Sequence, residues 1–136
     1  MKLFLDTAYL EEIEKASEAG LLDGATTNPS LMKQAVEELH REKGDEIKLE
    51  EYIEKILEAA GDVPVSLEVT GHTYEEMVEE GERLYNRFND VNDNVFVKIP
   101  VNPTFNGEKR TYHGVKAIQE LTSKDIPVNA TLIFTP

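Results

Sequence analysis

The stretch Val95-Phe96-Val97-Lys98-Ile99-Pro100-Val101 sets one lysine among large apolar side chains, and what flanks it along the chain decides the fold. The run is β-rich over 94–101 and reads as a strand. Helical spacing brackets it, over 74–88 on one side and 115–122 on the other. Moving back toward the N-terminus, Pro-Val-Ser-Leu-Glu-Val-Thr at 64–70 alternates like a strand, and 49–60 is a helix with Leu49, Ile53, Ile56, Leu57 and Ala60 as its stripe. A helix before that carries Leu31, Ala35 and Leu39 on one face, with Ser30 where an N-cap belongs. A short β-branched segment, 24–28, ends at Pro29; the chain opens with a strand at 2–7 and a helix at 8–20 that stops at Gly20. Beyond the second flanking helix, 128–135 is again strand-like. The order β-α-β-α-α-β-α-β-α-β predicts parallel strands joined by right-handed crossovers.

The chain has 136 residues, one domain's worth of core but fewer than the roughly 200 or more of a complete α/β barrel. Acidic side chains number 27 against 14 basic ones, for a net charge of −13, which argues against nucleic acid or an anionic membrane as partner. Zero cysteines exclude a disulfide scaffold, a zinc–thiolate site and a cysteine nucleophile. The opening Met1-Lys2-Leu3-Phe4-Leu5-Asp6 meets an acid before a signal-peptide apolar region could form, and no apolar run is long enough for a membrane span. A cytoplasmic location is the expectation. Acidic runs such as Glu75, Glu76, Glu79 and Glu80 read as solvated helix faces.

Parallel α/β proteins keep their chemistry at the C-terminal ends of the strands. Those ends carry Asp6, then Thr26 with Asn28, Ser66 with Glu68, Lys98, and Asn129 with Thr131. Strand side chains alternate, so the two residues within each pair share a face. If that face is a barrel interior, all these polar ends converge on one axis. Lys98 is then either an edge residue snorkelling to water or a desolvated amine. Desolvation disfavours the ammonium form and leaves the neutral amine that attacks a carbonyl. Around the same point Asp6, Glu68, Asn28, Asn129 and Thr131 would supply a proton acceptor, a relay and hydroxyl-binding groups. Simpler readings coexist. Asp6-Thr7 also suits a helix N-cap, and Asn28-Pro29-Ser30 a turn and helix start. Asn129-Ala130-Thr131 matches a glycosylation sequon, which its strand position discounts. His40, His72 and His113 are far apart and outside the strand ends, so no metal site is expected.

Taken together, five motifs resemble the transaldolase family. They are Leu3-Phe4-Leu5-Asp6-Thr7-Ala8, Gly24-Ala25-Thr26-Thr27-Asn28-Pro29-Ser30, Val65-Ser66-Leu67-Glu68-Val69, Val97-Lys98-Ile99-Pro100 and Asn129-Ala130-Thr131-Leu132-Ile133-Phe134. They occur in the family's order and span nearly the whole chain, and they are most similar to the small transaldolases, whose relatives include fructose-6-phosphate aldolase. The resemblance implies a parallel (β/α) barrel of TIM type, here with about five of eight strands, making 1–136 a single truncated barrel domain. It implies Schiff-base transfer of a dihydroxyacetone unit from a ketose phosphate to an aldose phosphate, as in the pentose phosphate pathway, with no metal or organic cofactor. By motif position Lys98 condenses with the ketone, and Asp6 handles the proton of the sugar hydroxyl as the C–C bond breaks. Glu68, with a water held by Thr131, moves protons during carbinolamine dehydration, while Asn28 and Asn129 bind the dihydroxyacetone hydroxyls, with Thr26 as a further substrate-binding residue.

The chain departs from the family in two places. It stops at Pro136, after the fifth expected strand, where the family's later strands carry an arginine and a serine for the phosphate. A fragment of a longer product is the expectation, the alternative being a half-barrel completed by another chain, a homo-oligomer included. The loop after Lys98, 102–114, is also long; its Lys109 and Arg110 could meet a sugar phosphate or stand in solvent. Besides transfer, two further outcomes are open: cleavage, as in fructose-6-phosphate aldolase, and a catalytically inert half-barrel. Glu68 and Asn129 favour transfer, because the aldolase relatives differ at those positions.

Overall fold

The computed structural model describes residues 1–44, 46–101 and 112–133. Their elements are β1 (Phe4–Asp6), α1 (Leu10–Glu18), β2 (Gly24–Thr26), α2 (Pro29–Lys43), α3 (Leu49–Ala60), β3 (Val65–Glu68), α4 (Tyr74–Asn92), β4 (Val95–Pro100), α5 (His113–Ser123) and β5 (Val128–Thr131). All neighbouring strands pair in parallel, in the order β1-β2-β3-β4-β5. Strand order thus follows chain order, with helices as the crossovers, which is the connectivity of a (β/α) barrel. The sheet is a curled half-barrel. Strands two apart in a flat sheet lie about 9.6 Å from each other, beyond easy reach of most side chains. Yet the Lys98 ammonium on β4 reaches the Thr27 carbonyl just past β2, and Asn129 on β5 reaches Ser66 on β3. Both bridges lie on the concave side.

The convex side holds the core. Ala25, Val65, Leu67, Val95, Val97 and Ile99 are all at most 3% exposed and pack against the helices. Their helical partners include Ile13, Tyr52, Ile56 and Leu57 in one cluster, and Met77, Ala117 and Leu121 in the other. Burial of this kind contributes about 25 cal/mol per Å² of apolar surface, so this layer carries the stability. Tyr52 also ties α3 to the start of α1: its hydroxyl donates to the Ala8 carbonyl at 2.7 Å and accepts from the Leu10 amide at 3.3 Å. Gly114 opens α5 hard against β4; a Cβ there would lie 2.0 Å from the Pro100 carbonyl oxygen, so no other residue fits.

The elements follow the sequence reading with instructive shifts. Ser30 is not the cap of α2. Asn28 is, with its side-chain oxygen accepting from the Leu31 amide at 2.9 Å, and Pro29 takes the first helical position, where a missing N–H costs nothing. Helix α4 runs past Phe88 to Asn92, with Val91 carrying its apolar period on to the core; Asp93, left-handed at φ 43°, then stops it. The expected loop at 102–114 ends sooner, since α5 begins at His113. Residues 102–111, with Lys109 and Arg110, lie outside the described residues. Among the described residues no helix is long and apolar enough to cross a membrane.

Candidate active site

Lys98 sits on β4, between β3 and β5, so it is no edge residue, and it is 8% exposed. Glu68 stands beside it because the two are register partners on adjacent parallel strands and so share a face. The Lys98 Nζ lies 3.3 Å from Glu68 Oε2 and donates to the Thr27 carbonyl at 3.2 Å. Their side chains are only 11% and 16% exposed, so water and salt screen this ion pair little. In the resting arrangement the amine is held between two acceptors.

On the exposed edge strand β1, Asp6 accepts a hydrogen bond from the Thr26 hydroxyl at 2.7 Å, its register partner on β2. Asp6 therefore does not cap α1. That helix begins after Tyr9, and Thr7 serves the turn instead, accepting from the Tyr9 amide at 3.1 Å and donating to Glu12 at 2.5 Å. Asn129 is the register partner of Lys98 on the far side, and its amide nitrogen donates to Ser66 Oγ at 3.0 Å. Asp6, Asn28, Glu68, Lys98 and Thr131 line one open cleft of about 590 Å³ at the C-terminal ends of the strands. Residues up to 125 positions apart in the chain, from Asp6 to Thr131, thus line the same cleft as the amine. Thr26 joins this group through Asp6, and Asn129 through Ser66 and its place beside Lys98.

A family model described as Transaldolase/Fructose-6-phosphate aldolase matches residues 3–136. The chain belongs to this family. Three similar relatives, each named probable transaldolase, come from Nitrosopumilus maritimus, Chlorobium phaeobacteroides (strain DSM 266) and Aquifex aeolicus; they are 46%, 44% and 43% identical over all 136 residues. The match covers 50%, 53% and 52% of those relatives, so the chain spans about half their length.

Three features of this transaldolase-family cleft escaped the sequence. Thr27 is 1% exposed; its amide and hydroxyl both donate to the Ser66 carbonyl at 3.0 Å, leaving its own carbonyl for Lys98. A backbone acceptor leaves no mark in residue type, so only the register could find it. Ser66 stood among the polar strand ends, and its partnership with Asn129 needed the curl of the sheet. His72, placed outside the strand ends by the sequence, lines the same cleft as Lys98, in the loop that leaves β3.

Proposed function

We propose that this cleft performs Schiff-base transfer of a dihydroxyacetone unit between sugar phosphates. The observation that carries it is the buried Lys98–Glu68 contact in a cleft shared with Asp6. Glu68 takes a proton from the ammonium, directly or through a water at Thr131, and the freed amine attacks the ketose carbonyl. Glu68 then returns the proton to the carbinolamine hydroxyl, which leaves as water. The resulting iminium is the electron sink that makes C–C cleavage feasible. Asp6 removes the proton of the adjacent sugar hydroxyl as that bond breaks; an aldose phosphate departs and an enamine stays on Lys98. An incoming aldehyde reverses the steps and takes the three-carbon unit away. No metal or organic cofactor is needed, because the iminium supplies the electrophile.

Thr26 acts by holding Asp6 in place, its hydroxyl proton already directed at the carboxylate. Asn28 has its oxygen committed to the helix cap, so it offers a sugar hydroxyl its amide N–H groups. Asn129 has donated to Ser66, so it offers its carbonyl oxygen and a remaining N–H. In this reading residues 1–136 form one barrel domain of about five strands out of eight, acting on pentose-phosphate sugars in the cytoplasm. The test is to incubate the chain with fructose 6-phosphate, reduce with borohydride and map the adduct by mass spectrometry. An adduct on Lys98 is expected; a folded chain that forms none rejects the proposal and leaves the inert reading.

A further inference from the structure

The loop between β3 and α4 forms one wall of the cleft, with Thr70, Gly71 and His72 among its lining residues. Its backbone is held in an unusual way. Glu80 Oε2 accepts from the Thr70 amide at 2.7 Å and from the Gly71 amide at 2.9 Å. The Thr70 hydroxyl donates to the same carboxylate at 2.9 and 3.0 Å. One turn earlier on α4, Glu76 Oε2 accepts from the His72 amide at 2.9 Å and the Thr73 amide at 3.1 Å. Four successive loop amides, 70 to 73, are thus consumed by two carboxylates spaced i, i+4 on one helix face. The Glu76 contacts are a capping box that any helix start could use. The Glu80 contacts are not: they come from the second turn of α4 and secure chain that lies before the cap.

Glu80 is suited to this task. Its side chain is 17% exposed, and charge-assisted bonds to a carboxylate are about twice as strong as neutral ones. Arg83 stands 3.9 Å away, too far for a hydrogen bond, so the close contacts all go to the loop. Gly71 lets the loop pack close to the first turn of α4, since a Cβ there would lie 2.7 Å from the Glu76 Cβ. The wall continues directly into the chemistry. Glu68 precedes Thr70 by two residues, and between them the Val69 amide donates to the Lys98 carbonyl at 3.1 Å.

We propose that Glu80 is a positioning residue, which by gripping Thr70 and Gly71 from the helix layer holds Glu68 against the Lys98 amine. This rests on the function proposed above for its catalytic consequence, but not for its mechanical one. The test compares the chain with Glu80→Ala and Glu80→Gln. Gln keeps an oxygen for both amides and can donate to the Thr70 hydroxyl. Three readouts are taken: amide exchange at Thr70 and Gly71, the rate at which trinitrobenzenesulfonate arylates Lys98, and the borohydride-trapped adduct with fructose 6-phosphate.

In Glu80→Ala, exchange is expected to rise about tenfold and arylation of the loosened amine about fivefold, with Glu80→Gln, which keeps the oxygen but loses the charge, between Ala and the parent. Where the parent traps substrate, Glu80→Ala traps it correspondingly more slowly. Unchanged arylation of a folded Glu80→Ala chain, or a Glu80→Gln chain that behaves like Ala, overturns the proposal. A parent that forms no adduct sinks the function reading alone, because arylation still decides the positioning role. Should Glu80→Ala fail to fold, Thr70→Val removes only the hydroxyl contacts and is judged by the same readouts.

Discussion

The two faces of the curled sheet are built from the same strands and do opposite work. On β4, Val97 and Ile99 point into the helix layer and are fully buried, while Lys98 between them points into the cleft. On β3, Leu67 faces the core and Ser66 and Glu68 face the concave side. The convex face is apolar without exception among its buried strand residues, so its contribution is non-directional burial. The concave face satisfies its polar groups with one another: Lys98 with Glu68 and Thr27, Asp6 with Thr26, Asn129 with Ser66. These are directional contacts of modest net stability, and each leaves a lone pair or a proton for a ligand. One-residue alternation thus separates what holds the chain together from what it does.

The largest expected effect is at the amine. Lys98→Met removes the nucleophile and should abolish the trapped adduct altogether; it also leaves the Glu68 carboxylate, 16% exposed, without its cation, so urea stability falls as well. Adduct formation surviving at another residue would break the assignment. Next, Glu68→Gln keeps the shape but not the proton transfer, and the rate of adduct formation should fall about a hundredfold to ten-thousandfold, measured by timed borohydride quenching. Ile99→Ala, one residue from the lysine but on the other face, should cost about 2–5 kcal/mol of stability in urea titration. An Ile99→Ala chain as stable as the parent would erase the contrast between the faces.

The smallest effect concerns acid. The His72 and Thr73 amides hold the Glu76 carboxyl below its ordinary value, the bond from His72 contributing most. A carboxyl whose folded value is depressed stabilises fully above its unfolded value and loses that contribution as pH falls through the folded one. Exchange at His72 and Thr73, corrected for intrinsic rates, should therefore begin to quicken as pH drops below 4.5, with the buried convex strands unaffected. Equal quickening in β3 and β4 would mean that the loop does not open separately.

Much of this site is legible before any coordinates. Asp6, Glu68 and Lys98 stand out because a charged side chain inside a short apolar strand needs a reason, and period two assigns each to a face. Asn28 is legible only in part: residue type suggests both a cap and a ligand-binding group, and the structure has it capping α2 while lining the cleft. Glu80 is the clearest misreading. It belongs to a run of glutamates that looks like a solvated face, yet its side chain is 17% exposed and turns to the loop backbone. Glu76 is exposed as expected, and its place three residues after Thr73 is a capping-box spacing; nothing in composition separates Glu80 from Glu79.

Periodicity along the chain is a local property, so alternating βα elements, the two-faced strands and the family resemblance could all be read from residue order. Partnership across the fold is not local. Which carbonyl receives the Lys98 proton, which hydroxyl steadies Asp6 and which helix carboxylates grip the loop depend on strand register, sheet curl and loop path. Those are set by packing of the whole helix layer, and a backbone acceptor has no residue type to announce it.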